Sequence, residues 1–121
     1  EFNLRGGVGC ISVTANIAPK LCSEFQEAST AKNNSNLLAK AKQINEKLMP
    51  LHRSLFIESS PSPVKYAASL LNLCSEDVRL PLVKVTEQTR KVVKYVTTRL
   101  SIDARVKLIA YSCSLDSNLT R

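Results

Sequence analysis

Apolar residues recur at intervals of three and four through the middle of the chain, which is the spacing of one helix face. Pro50 lies inside this stripe, and because proline removes one helix hydrogen bond and clashes with the preceding turn, we expect a kink there rather than an end. We interpret the stripe as the core-facing side of a helix, with a coiled-coil or partner-binding helix as the alternative. Its members are Leu37, Ala41, Ile44, Leu48, Leu51 and Leu55.

The segment before the stripe has a strand-like pattern. Small and branched residues alternate from Gly9 to Thr14, which predicts a strand buried on both faces. Pro19 then suits the first turn of a helix that we expect to reach about Thr30. One strand cannot make a sheet, because its backbone groups need neighbouring strands to pair with. The chain also opens at Glu1 rather than methionine, so we expect the last strand of a larger protein followed by a helical region.

The second half of the chain predicts further helices. Ser62 is a suitable N-cap with Pro63 at the first helical position, and this helix should run to about Leu73. An irregular connection is expected at 76–81, and Thr86 should cap a last main helix. That helix is predicted from Glu87 to about Leu100 with four residues inward: Val92, Val93, Val96 and Leu100. A short helix at 103–110 and a frayed tail would complete the chain.

The formal charge of +7 is concentrated towards the C-terminus. The segment from Lys84 to Lys107 contains seven basic and two acidic residues, and this excess of positive charge suits an anionic partner or a solvated helix face. With Tyr95 and Tyr111 as its aromatic residues, this region offers no stacking platform, so we do not expect a nucleic-acid partner. The apolar runs are far shorter than the roughly 20 residues of a membrane-spanning helix, and we expect no membrane association. The cations are Lys84, Arg90, Lys91, Lys94, Arg99, Arg105 and Lys107.

Metal and nucleophile chemistry have little support in the sequence. Four cysteines, Cys10, Cys22, Cys74 and Cys113, lack the spacing of a metal site, and we predict neither a metal nor a cofactor. They suit small buried side chains in a reducing, cytoplasmic setting. His52 is the single imidazole, and no Ser, Cys or carboxylate stands at a motif spacing that would make it a base. We interpret it as a surface or packing residue.

Several separate motifs together resemble a known family. They are G-G-V-G-C-I-S-V-T-A-N-I-A-P (6–19), L-M-P-L-H (48–52), F-I-E-S-S-P-S-P-V-K-Y-A (56–67) and R-L-P-L (79–82). In this order and spacing the chain resembles the C-terminal portion of the dihydrodipicolinate synthase family, over roughly 1–100. Two departures stand out: 103–121 continues without a match, and Ser59-Ser60-Pro61-Ser62 replaces the more usual Asn-Pro-Ile form.

The resemblance implies a fold and a reaction for a parent enzyme. The fold class is a (β/α)₈ TIM barrel with a helical extension, of which this chain, mainly α with one strand and four to five helices, would be the C-terminal piece. Residues 1–32 would be the last βα unit, 33–102 the extension and 103–121 an unmatched tail. The parent would be a class I aldolase-type lyase that condenses pyruvate with aspartate semialdehyde in lysine and diaminopimelate biosynthesis, and would form a homo-oligomer.

The same resemblance implies that the catalytic groups lie outside this chain. The family's Schiff-base lysine, tyrosine-centred proton relay and G-T-T-G-E loop belong to earlier strands, and none of these motifs is present. We therefore predict no catalytic residue and a chain that is inactive by itself. Ser12, Thr14 and Asn16 lie nearest the implied barrel mouth, where they would line the pocket; strand packing is the alternative.

Two further hypotheses stay open. One is that the chain is an autonomous basic helical module that binds acidic partners or nucleic acid through 84–107. It would alternatively derive from a sister pyruvate-dependent aldolase, such as an N-acetylneuraminate lyase, because the residues that separate these enzymes lie elsewhere.

Overall fold

A computed structural model describes residues 2–31 and 34–100 of the chain. Short 3₁₀ turns at Asn3–Arg5 and Thr14–Asn16 precede helix α1, Pro19–Thr30. Helix α2, Ser35–Ser54, and helix α3, Ser62–Leu70, follow. A fourth helix, α4, occupies 87–100. The prediction of a mainly helical chain is confirmed, and the expected short helix at 103–110 lies outside the described residues.

The predicted strand is absent from the described residues. The segment at 7–13 is irregular and leads into the 3₁₀ turn at Thr14–Asn16. Val8 is 97% exposed and Ile11 fully exposed, although both belong to an apolar pattern. The prediction of a strand from Gly9 to Thr14 is wrong for this structure, because a strand needs neighbours to accept and donate its backbone hydrogen bonds.

Helix α2 carries the predicted apolar stripe. Five of the six stripe residues are buried, while Leu37, in the first turn, is 37% exposed. The helix continues through Pro50 and ends at Ser54, four residues later. Leu51 and Leu55 have no exposed surface, so the stripe does face the core. The prediction of a core-facing helix is confirmed.

The first turn of α2 is closed by an asparagine side chain. Asn34 Oδ1 accepts hydrogen bonds from the backbone N–H groups of Asn36 and Leu37, both at 3.1 Å. These two N–H groups have no partner within the helix, so the side chain supplies one.

Replacing this cap should destabilise α2. We expect Asn34→Ala to lower the free energy of unfolding by about 1 kcal/mol, the usual cost of losing an N-cap side chain. Urea unfolding followed by circular dichroism measures the difference. Asn36→Ala is the matched control, since Asn36 takes part in the cap through its backbone N–H. Equal losses in the two variants would contradict the capping role.

Helix α3 is displaced by one residue at its start and shorter at its end than predicted. Ser62 lies inside the helix with Pro61 before it, so the prediction of Ser62 as the N-cap is wrong. At the other end Asn72 has a φ of 57°, and its N–H donates to the Ser69 carbonyl. The N–H of Leu73 donates to the Ala68 carbonyl at 3.0 Å. This pair of bonds is a Schellman motif, which ends the helix at Leu70 rather than near Leu73.

Helix α4 begins at the predicted place but faces the core differently. The Thr86 hydroxyl accepts from the Thr89 N–H at 3.4 Å, which is consistent with the predicted cap. Val93 has no exposed surface, whereas Val92 is 39% exposed, so the prediction of Val92 as inward is wrong. Thr97 is 1% exposed and completes the inner face instead. Two adjacent valines cannot both face one side, because neighbouring helix residues are about 100° apart.

A carboxylate connects the turn after α2 to the start of α4. Glu58 Oε1 accepts from the Thr86 N–H at 3.1 Å and from the Thr86 hydroxyl at 2.6 Å. Hydrogen bonds from the side chains of Thr86 and Thr89 lower the pKa of Glu58; burial opposes this shift, and the Thr86 backbone N–H adds to it. These hydrogen bonds therefore stabilise the ionised form of the Glu58 carboxylate in the folded chain.

This contact should make stability depend on pH in the acid range. Because the folded-state pKa of Glu58 is lowered, its contribution is complete above the ordinary carboxyl pKa and is lost as pH falls through the folded value. We expect the difference in unfolding free energy between the native chain and Glu58→Gln to shrink on acidification. Thr86→Val keeps the N–H and removes the hydroxyl, so it should lose part of this dependence. Parallel pH profiles for the native chain and Glu58→Gln would contradict the role of the carboxylate.

The core is formed by residues of α2, α3 and α4, together with Ile17 and Ala18 before α1 and Val85 before α4. Ala67 of α3 has no exposed surface, and Tyr66 is 8% exposed. Leu21, Cys22 and Phe25 of α1 pack against this core from the other side. The buried apolar residues of the cluster are Ile17, Ala18, Ile44, Leu48, Leu51, Leu55, Tyr66, Ala67, Ala68, Val85 and Val93. In the described parts of the chain, every helix is too short or too polar to span a bilayer.

Candidate functional site

A cleft of about 450 Å³ opens between the irregular N-terminal segment and helices α1 and α2. Ser12 and Thr14 line one wall, Cys22 and Gln26 of α1 a second, and His52 of α2 a third. The wall beside α2 is apolar in part, because Leu48 of the helix stripe and Met49 reach it. The cleft therefore brings together residues that are far apart in sequence.

A hydrogen bond joins the N-terminal wall to α2. Thr14 is 3% exposed, and its Oγ1 lies 3.1 Å from His52 Nδ1. The His52 ring packs against the Phe56 ring with centroids 5.3 Å apart, which fixes the imidazole from its other side. The Thr14 carbonyl accepts from the N–H groups of Ile17 and Ala18. Threonine and histidine thus hold the turn at Thr14–Asn16 against α2.

The same geometry limits what His52 does chemically. A general base of the hydrolase type needs a carboxylate or carbonyl to orient it and a nucleophile to activate. Among the described residues, the polar contact of the imidazole is the Thr14 hydroxyl, and no carboxylate contacts it. The interpretation of His52 as a packing residue agrees with this position.

The three residues predicted nearest the barrel mouth do not all come together. Ser12 and Thr14 line the cleft. Asn16 is exposed at the end of the 3₁₀ turn, where its Nδ2 donates to the Val13 carbonyl at 3.0 Å. Asn16 therefore caps its own turn and is separate from the cleft.

Two of the four cysteines share the cleft. Cys22 is partly buried, and desolvation raises the pKa of its thiol, with a hydrogen bond from Ser12 opposing the shift and the nearby Cys10 adding to it. Cys10 and Cys74 are exposed, so the prediction that the cysteines are buried is wrong for these two. The expected strand would have buried Cys10, and the early end of α3 leaves Cys74 outside that helix. Cys113 lies outside the described residues.

Lysine is absent from the lining of the cleft over 2–31 and 34–100. The lysines of the described helices are exposed, with the exception of the half-buried Lys65. Lys65 Nζ donates to the Asp77 carbonyl, which removes one of its protons from other use. An imine-forming lysine needs a partly dry pocket, whereas these side chains are exposed or, for Lys65, already bound to a backbone carbonyl. No three His, Cys, Asp or Glu side chains of the described residues converge as a metal site.

Part of the basic stretch is neutralised within the chain. Lys84 Nζ lies 2.8 Å from Asp77 and 3.3 Å from Glu76, and these hydrogen bonds raise the pKa of Lys84. Arg90 pairs with Glu76 at 2.6 Å and lies over the Tyr66 ring, 4.6 Å from its centroid. Two of the seven predicted cations are thus engaged, and Arg105 and Lys107 lie outside the described residues.

The match to a family model decides the relationship of the chain. Residues 1–100 match the model of the dihydrodipicolinate synthetase family. The chain belongs to the dihydrodipicolinate synthetase family. This match covers α1 to α4 and the three walls of the cleft, and it confirms the resemblance carried by the glycine-rich, L-M-P-L-H and proline-rich motifs.

Individual relatives agree with the family match. A 4-hydroxy-tetrahydrodipicolinate synthase of Pelagibacter ubique is 65% identical over 94 residues, covering 78% of this chain and 32% of the relative. The corresponding enzyme of Rhodospirillum centenum is 55% identical over 93 residues, or 77% of this chain and 31% of the relative. The chain therefore spans about a third of the length of these relatives.

Solved structures show the same fold. A chloride-inhibited dihydrodipicolinate synthase of Acinetobacter baumannii, in complex with pyruvate, superposes with a TM-score of 0.72 at 42% identity. The superposition covers 79% of this chain and 32% of that enzyme. The helices described above thus have the arrangement found in part of a TIM-barrel synthase.

Proposed function

We propose that this chain is the C-terminal part of a 4-hydroxy-tetrahydrodipicolinate synthase and that it contributes packing rather than catalytic groups. The family match over residues 1–100 carries the proposal, together with coverage of about a third of each relative. The parent enzyme condenses pyruvate with aspartate semialdehyde through a lysine Schiff base, in the route to diaminopimelate and lysine. It acts in the cytoplasm as a homo-oligomer.

The exposed N-terminal segment supports a role in closing a barrel. Val8 and Ile11 have almost all of their side-chain surface exposed, which is unusual for branched apolar residues. Addition of neighbouring strands at 7–13 would bury these side chains and pair the backbone. Residues 1–32 would then be the last βα unit, with 33–102 as the helical extension and 103–121 as a tail.

The lysines support the proposal that the imine-forming group lies elsewhere. Each described lysine is exposed or, in the case of Lys65, already bound to a backbone carbonyl. The cleft beside Ser12 and Thr14 presents hydroxyl groups, which suit the wall of a substrate pocket better than its reactive centre. We propose these two hydroxyls as pocket-lining groups in the parent enzyme, whereas Asn16 serves its own turn.

Reductive trapping with pyruvate tests the proposal. We expect borohydride treatment of this chain with pyruvate to give no mass increase on a lysine, because the described lysines are exposed or, for Lys65, bound to a backbone carbonyl. When the chain is refolded with a polypeptide that covers the remaining two thirds of the Pelagibacter relative, a stoichiometric adduct should form on that polypeptide. Ile11→Asp in this chain should prevent the adduct by placing a charge between strands. An adduct on the isolated chain would contradict the proposal.

The alternative of a basic binding module has less support. Two residues of the proposed basic surface already form ion pairs within the chain: Lys84 pairs with Glu76 and Asp77, and Arg90 pairs with Glu76. Binding of duplex DNA that weakens with salt would favour this alternative. The sister aldolase is the remaining alternative; because the residues that separate it from the synthase lie outside this chain, the sequence of the rest of the parent polypeptide distinguishes the two.

A further inference from the structure

A second concave surface lies away from the cleft, between the start of α3 and the connection that leads to α4. Its volume is about 380 Å³, near the lower end of the range for small-molecule sites. Three of its six lining residues have apolar side chains: Pro61, Val78 and Leu82. Lys65 and Arg79 lie on the same wall. The surface thus combines a small apolar floor with two cations.

The charges around this surface are unequally satisfied. Asp77 also lines it, but its carboxylate is bound by Lys84 and by the Ser75 hydroxyl, and these bonds lower the pKa of Asp77. Glu76, its neighbour, is taken by Lys84 and Arg90. The two acids of the connection are therefore occupied by cations other than Arg79.

Arg79 is left with its donors unused. Its side chain is exposed, and within 2–31 and 34–100 no carboxylate or carbonyl accepts from the guanidinium. Its backbone carbonyl accepts from the Leu82 N–H at 3.0 Å, which holds the turn that places Arg79 beside Val78 and Leu82. A planar guanidinium is the side chain best suited to two parallel hydrogen bonds with a carboxylate.

Lys65 has a supporting position at the same surface. Its ammonium group is held by the Asp77 carbonyl, so the charge is fixed in place at the wall rather than free in solvent. Two further protons of this group remain for a ligand. A fixed ammonium next to an unpaired guanidinium gives a positive potential over an apolar floor, which attracts an anion that also has apolar surface.

We propose that this surface, bounded by Pro61, Lys65, Val78, Arg79 and Leu82, is a binding site for a small organic carboxylate with a compact apolar body. The carboxylate would accept two hydrogen bonds from Arg79, and the apolar body would lie on Val78 and Leu82. The site is separate from the cleft of the proposed synthase, so it neither requires nor restricts the role of that cleft.

An NMR titration of the full chain with benzoate tests the site. We expect saturable chemical-shift changes confined to the backbone amides of 61–65 and 77–82. Benzamide, the neutral analogue, and inorganic phosphate, which has no apolar body, should give weaker changes or none.

Arg79→Gln should raise the dissociation constant for benzoate by about tenfold, the effect of losing a charge-assisted pair. Arg99→Gln is the control, since Arg99 lies over Tyr95 on α4, and it should leave the constant unchanged. Absence of saturable shifts, equal response to phosphate or benzamide, or unchanged benzoate binding in Arg79→Gln would each overturn the proposal.

Discussion

Leu51→Ala should remove a large part of the stability of the chain, by about 2–5 kcal/mol, because it deletes buried methyl groups and leaves a cavity. Leu51 has no exposed surface and lies on the stripe of α2, within the core cluster to which α3 and α4 also contribute. Neighbouring backbone cannot collapse into the space without moving a helix, so the upper half of the range is expected. Urea unfolding followed by far-UV circular dichroism measures the loss.

The same helix supplies the control for this variant. Leu37 is 37% exposed in the first turn of α2, and Leu37→Ala removes the same atoms at a site with less packing. We expect Leu37→Ala to change the free energy of unfolding by less than about 1 kcal/mol. Similar losses of stability at the two positions would mean that α2 is not packed as described. Non-cooperative unfolding of the unsubstituted chain would mean the same.

Val93→Asp should be the most damaging substitution in α4, with a cost of about 3–5 kcal/mol for an unpaired buried charge. Val93 has no exposed surface and lies among apolar residues of the core cluster. The introduced carboxylate would therefore have to remain protonated or pull the helix away from the core. We expect loss of the cooperative transition or a large reduction in its urea midpoint.

The adjacent residue gives a control that differs by one position. Val92 is 39% exposed, so an aspartate at this position remains in water. Val92→Asp should shift stability by less than about 1 kcal/mol, through helix propensity and local charge. If Val92→Asp proved the more damaging of the two, α4 would be rotated relative to the structure described.

The apolar pattern predicted α2 well because its signal is long and regular. Six stripe residues at intervals of three and four define one face without ambiguity, and α3 and α4 were also placed within a few residues. The pattern failed at Val92 because two adjacent valines fit an inner face equally well until the neighbours are known. Thr97 is buried although its side chain is polar, and hydrophobic periodicity has no means of finding it.

The strand and the cleft show a different limit of sequence reasoning. A branched apolar segment at 9–14 is typical of a strand, but strand formation depends on partners that lie outside the segment. The Thr14 to His52 hydrogen bond joins residues 38 apart, and no local spacing indicates it. The Glu58 contact with Thr86 spans 28 residues in the same way. The family motifs therefore predicted which segments lie near the cleft, whereas the contacts of Thr14 with His52 and of Glu58 with Thr86 could be identified only in the folded structure.

The ion pairs of Glu76 join the two sides of the connection between α3 and α4 through side chains. Glu76 lies before the exposed Arg79–Leu80 peptide bond, and its partners Lys84 and Arg90 lie after it. Val85 and Val93, on the far side of that bond, are buried in the shared core. An interruption or insertion after Arg79 would therefore leave two segments joined by their side chains, so this bond is a natural position for a split reporter or a new pair of termini.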